Sequence, residues 1–170
     1  MKSKEVVIMN ALDLLRDDHR RISRLIQEVE HELDPGTGQA SDATFDRLTR
    51  AMNLHGRMLQ QYLYPELEPF TETSAYLALD ARNDAQLRQL VNEIERNQPP
   101  EQGWTSRLAQ LGELWRTHVE QSEKQLFPQA LRLLGPMRLE QLQFDMDALR
   151  THQSDLDSAI YPASRLGPKK

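Results

Sequence analysis

The chain contains no cysteine. That excludes disulfides, thiolate metal ligands and a cysteine nucleophile, and it fits a cytoplasmic home. No run of about 18 apolar residues occurs, so no transmembrane helix is expected. The start, MKSKEVVIMNALDLLRDDHR, holds an apolar patch that turns acidic and basic at once. No signal peptide is expected from it. Positive charge is also short: the formal net charge is −5. Phosphate backbones favour a basic surface, so nucleic acid is not an expected partner.

What is present suits one globular unit. The 170 residues are 38% hydrophobic, enough for a core,. A single domain is expected over 1–161, followed by a short basic tail at 162–170. Apolar residues recur at helical spacing almost throughout. Leu12, Leu15, Ile22, Leu25, Ile26, Val29 and Leu33 mark a first helix, with Asn10 and Asp13 as its N-cap and N3 pair. The segment DPGTGQ (34–39) reads as a turn. A second helix starts near Ser41 or Asp42 and ends near Pro65. A third covers about Ser74 to Arg96, and NQPPEQG (97–103) breaks it. A fourth covers about Thr105 to Leu134, ended or kinked by Pro128. Gly135-Pro136 is a stop and restart, and a shorter fifth helix fills much of 137–160. Helices joined by short turns predict an all-α, up-down antiparallel four-helix bundle with an additional C-terminal helix.

The chain repeats itself at an offset of 63 residues. HGRMLQQYLYP at 55–65 is echoed by HVEQSEKQLFP at 118–128. Each histidine, His55 and His118, precedes by eight residues a leucine that opens a Leu-aromatic-Pro exit. Upstream, Ile22 and Leu25 follow His19 by three and six residues, as Leu87 and Leu90 follow Asp84. The pattern is that of a duplicated helical hairpin. His19, His55, Asp84 and His118 all lie on apolar stripes and should point inward. Aspartate is rarely buried without a partner. A divalent ion such as zinc or iron(II) would supply one, because imidazole nitrogen and carboxylate oxygen are both metal ligands. A metal-free core network of histidines with Asp84 explains the same four residues.

These residues and exits resemble the hemerythrin-like HHE cation-binding domains over roughly residues 10–135. The resemblance implies a four-helix bundle built around a non-heme di-iron centre. His19 in RDDHRRI matches the family's first histidine. His55 and His118 match the histidines of two His-x-x-x-Glu motifs, before LYP and LFP. The family's bridging glutamates fall on Leu59 and Ser122, and its third-helix histidine on Asp84. Leu59 cannot ligate, and a standard di-iron centre is not expected.

The resulting expectation is a non-enzymatic protein holding at most one iron or zinc ion through His19, His55, Asp84 and His118. Glu123, five residues after His118, is a further candidate ligand. The alternatives are a metal-free bundle serving as an interaction or regulatory module, and an unusual di-iron protein using Asp84 and Glu123. His31 and His152 read as bystanders. Asp17, Asp18, Arg20 and Arg21 read as solvent-facing. No serine has a motif that would make it a nucleophile.

Overall fold

A computed structural model of the chain describes residues 9–32, 42–96 and 103–160. Leu33, the turns expected at 34–39 and 97–102, and the tail at 162–170 lie outside them. The described residues are helical almost throughout, with no strand among them.

Helix α1 spans Ala11–Glu32. Its start is set as expected: Asn10 Oδ1 accepts the backbone N–H groups of Leu12 and Asp13 at 2.9 and 3.2 Å, and the Asn10 N–H donates back to Asp13 at 3.2 Å. These bonds satisfy amide donors that a helix start otherwise leaves open. Helix α2 spans Asp42–Met58 and runs through a π-helical turn, Leu59–Leu63, into α3, Tyr64–Leu67. Helix α4 spans Ser74–Arg96, as the sequence indicates. Helix α5 spans Trp104–Gln121 and runs through a second π-helical turn, Ser122–Leu126, into α6, Phe127–Ile160.

The two π turns occupy the same places in the duplicated hairpin. Tyr64 N–H bonds to Leu59 O, and Phe127 N–H bonds to Ser122 O. Both are five-residue closures. The cause lies in the sequence: Pro65 and Pro128 lack an N–H, and their rings crowd the carbonyl four residues back. A widened turn relieves that crowding. It starts at the position four residues after each repeat histidine.

Packing of α1 against α2, α5 and α6, and of α4 against α2 and α5, makes a four-helix bundle. At Gly135 the backbone leaves the helix, with φ 71° and ψ 167°. Glycine adopts this without a Cβ penalty, and Pro136 restarts the helix. The expected fifth helix is therefore not resolved as an element of its own. It is the part of α6 beyond this break.

Two apolar clusters fill the bundle. One gathers Leu12, Leu15, Met58, Leu59, Leu77 and Phe127 with their neighbours. The other gathers Ile22, Met52, Leu87, Leu111 and Trp115 with theirs. Along each helix, a polar side chain sits where one cluster gives way to the other. His19 lies between Leu15 and Ile22, and His55 between Met52 and Met58. Asp80 and Asp84 lie between Leu77 and Leu87, and His118 follows Trp115. The bundle thus carries one buried polar layer between two apolar ones. None of the described helices is long and apolar enough to cross a membrane.

Candidate metal centre

His19 comes from α1, His55 from α2 and His118 from α5. They are 2%, 1% and 1% exposed. One ring nitrogen from each lies within 4.8 Å of the other two. The Nε2 atoms of His55 and His118 are 3.3 Å apart, and Nε2 of His19 is buried with no hydrogen-bond partner. Trp115 meets the edges of His19 and His55 at 5.6 and 5.5 Å and lies tilted against His118 at 5.2 Å. Its indole N–H donates to Ser23 Oγ at 3.0 Å, which fixes the ring. Phe127 stacks on His19 at 5.6 Å. Three imidazoles are therefore enclosed by aromatic walls.

Burial governs the protonation of His19 and His118. It holds the His19 imidazole well below its ordinary value, and the neighbouring His55 and His118 add to that. Burial also pushes His118 down to about 4, against the opposing pull of Asp80. Neutral imidazoles have a lone pair to give, as a metal requires.

A carboxylate faces the other nitrogen of each ring. His19 Nδ1 is 2.7 Å from Glu123 Oε1. His118 Nδ1 is 3.4 Å from Asp80 Oδ1. His55 Nδ1 is 3.7 Å from Asp18 Oδ2, and Asp18 Oδ1 accepts from Arg150 at 2.7 Å. Asp80 also accepts from the Tyr64 hydroxyl at 2.6 Å and from Ser122 Oγ. Burial, then Asp80, raises the Tyr64 phenol, so it stays protonated and donating.

The residues singled out in the sequence thus separate into two groups. His19, His55 and His118 meet. Asp84 is buried but lies outside their cluster. Its Oδ2 accepts from Gln60 at 2.7 Å and faces Arg88 at 3.2 Å. Its Oδ1 presses on the helix at Gly56, where an added Cβ would come within 2.8 Å. Glu123 is half-buried behind His19. Leu59 is fully buried in apolar contacts, and the Ser122 hydroxyl is turned to Asp80.

Two aspartates depart from the sequence expectation. Asp18 is buried, not solvent-facing like its neighbours Asp17, Arg20 and Arg21. It stands in the charged run just before His19, which suggests exposure, yet Arg150 of α6 covers and pairs it. Asp80 carries no motif in the sequence. Its spacing of three from Leu77 on the stripe of α4 is the signal that could have found it.

Residues 10–130 match the family described as the Hemerythrin HHE cation binding domain. The chain belongs to this family. It is 24% identical, over 144 residues, to a DNA nickase from Nostoc sp.. That match takes in 84% of this chain but 40% of the nickase. The fold is also that of a hemerythrin HHE cation binding domain-containing protein from Mycobacterium kansasii. The TM-score is 0.75 at 19% identity, covering 91% of this chain and 94% of the other. Within the family, this chain has a reduced, three-histidine cluster.

The two positions where the family's bridging carboxylates fall carry none here. Leu59 offers no ligand atom, and Ser122 is a hydroxyl already given to Asp80. The donors present fit a single ion. Three buried imidazoles converge, and each has a ring nitrogen without a hydrogen-bond partner: Nε2 of His19 and Nδ1 of His55 and His118.

Proposed function

We propose that this chain is a mononuclear variant of its family, binding one divalent ion, iron or zinc, through His19, His55 and His118. The observation that carries the reading is the convergence of three buried ring nitrogens within 4.8 Å. Imidazole suits both ions. A ligated ion would also occupy the unpartnered Nε2 of His19, which otherwise costs about 1–3 kcal/mol as a buried polar atom without a bond.

Asp84 has no place in this inner set, because Gln60 and Arg88 engage its carboxylate. Glu123 stands behind His19 and does not join the cluster. When bound, the ion would supply Lewis acidity or redox chemistry. The three imidazoles would hold it in a buried place walled by Trp115 and Phe127. The DNA chemistry in the Nostoc protein's name does not come with this reading. The shared segment is less than half of that protein, and this chain carries net negative charge.

Titration of chelator-treated protein with Co(II), read by its visible ligand-field bands, tests the proposal. One equivalent per chain is expected for the wild type and none for His55→Ala. Absence of binding by the wild type would leave the metal-free bundle as the better description.

A further inference from the structure

Three histidines that converge on one point need something to aim them. A neutral imidazole carries its proton on either nitrogen. Only the tautomer with the proton on Nδ1 presents Nε2 as a donor to an ion. What fixes the tautomer is the bond made by the other nitrogen.

Here a different carboxylate stands beside each Nδ1: Glu123 is hydrogen-bonded to His19 at 2.7 Å, while Asp80 and Asp18 lie 3.4 and 3.7 Å from His118 and His55, whose Nδ1 atoms have no other partner and would close on them when an ion draws the rings together. Each carboxylate is itself held. Arg150 pairs with Asp18. The Tyr64 and Ser122 hydroxyls donate to Asp80. Glu123 is placed by the π turn Ser122–Leu126, which the proline at 128 imposes. Arg150 lies beyond the segment matched to the family, residues 10–130.

The charges also add up to a specific preference. Three carboxylates and one guanidinium leave two formal negative charges around the three rings. The other cations close by are already paired: Arg16 with Asp13, Arg20 with Asp17, and Arg88 with Asp84. Attraction to such a shell scales with the charge on the ion. Three bare imidazoles would have no such bias.

Resting on the mononuclear reading, we propose that Asp18, Asp80 and Glu123 are positioning residues that set the imidazoles for Nε2 ligation, and that their charge selects a divalent over a monovalent ion. Ser122 thereby has a use at the position of a family ligand: its hydroxyl holds Asp80.

The test compares Co(II) and Ag(I) binding to the full chain and to Glu123→Gln and Asp80→Asn. Glu123 is 34% exposed, so its replacement leaves the core intact even if Asp80→Asn fails to fold. Glu123→Gln should weaken Co(II) binding by on the order of 10–100-fold. It should weaken Ag(I) binding less, so that the preference for Co(II) over Ag(I) falls. Zinc-loaded wild type should show three exchange-protected imidazole Nδ1–H resonances, the one from His19 displaced in Glu123→Gln. Wild-type Co(II) affinity and an unchanged ion preference in Glu123→Gln would overturn the inference while leaving the three-histidine site standing. A wild type that binds neither ion would overturn both.

Discussion

His55 Nε2 faces His118 Nε2 at 3.3 Å, while the far nitrogen of each ring faces a buried aspartate. Without an ion, a hydrogen bond between the two Nε2 atoms requires one ring to carry its proton there. That ring then turns a lone pair towards Asp18 or Asp80. An ion between the rings removes the conflict, since both can then be protonated on Nδ1. Zinc should therefore stabilise the fold. Binding to the folded state alone adds about 2.7 kcal/mol at a hundredfold excess over Kd. Thermal melts of chelator-treated protein with and without zinc check this, and His55→Ala should lose most of the rise. Equal melting temperatures with and without zinc would contradict it.

Acid should destabilise the metal-free protein in a defined window. The unfolded chain protonates its histidines near pH 6.5. Folded His118 resists until about pH 4, and folded His19 is likewise held low. Between those values the unfolded state binds more protons, so stability falls as pH falls. Urea midpoints at pH 7.5 and pH 5 measure the loss, and His118→Gln should flatten it. An unchanged midpoint at pH 5 would show that these rings are not buried and neutral.

Gly56 and Asp84 should be energetically coupled. A Cβ at Gly56 would meet Asp84 Oδ1 at 2.8 Å. Alanine gains about 1 kcal/mol of helix propensity over glycine, but the contact opposes that gain. Gly56→Ala should therefore be more favourable in an Asp84→Ala background than in the wild type, with a coupling of about 1 kcal/mol. Additive effects in a double-mutant cycle would refute the close approach. Asp84→Ala alone should leave the one-ion stoichiometry unchanged.

Leu59→Glu should be costly. Leu59 is fully buried among apolar neighbours. A carboxylate there has no partner and should destabilise the metal-free protein by about 3 kcal/mol or more. Denaturant melts would read the loss, and zinc should recover part of it. A variant as stable as the wild type would mean that water reaches this position.

Much of this is legible in the sequence, because periodicity and repetition carry it. The 63-residue offset locates His55 and His118, and the prolines at 65 and 128 mark where the matched π turns fall. The capping pair Asn10–Asp13 and the span of α4 follow from local rules. The carboxylates around the histidines are harder to see. Asp18 lies in a run of charges and looks solvated. Its burial depends on Arg150, 132 residues away. Asp80 stands one turn before the residue that the repeat aligns with His19. The repeat points to Asp84 instead, whose partners are Gln60 and Arg88. Alignment fixes which turn of a helix a residue occupies. It does not say which of two aspartates, one turn apart, reaches across to another helix.

X-ray absorption at the metal edge of the iron- or zinc-loaded protein tests the central claim most directly. One ion per chain, with an inner shell containing three imidazole nitrogens and no neighbouring metal, is the predicted result. A metal–metal vector, or a shell with fewer than three imidazoles, would contradict it.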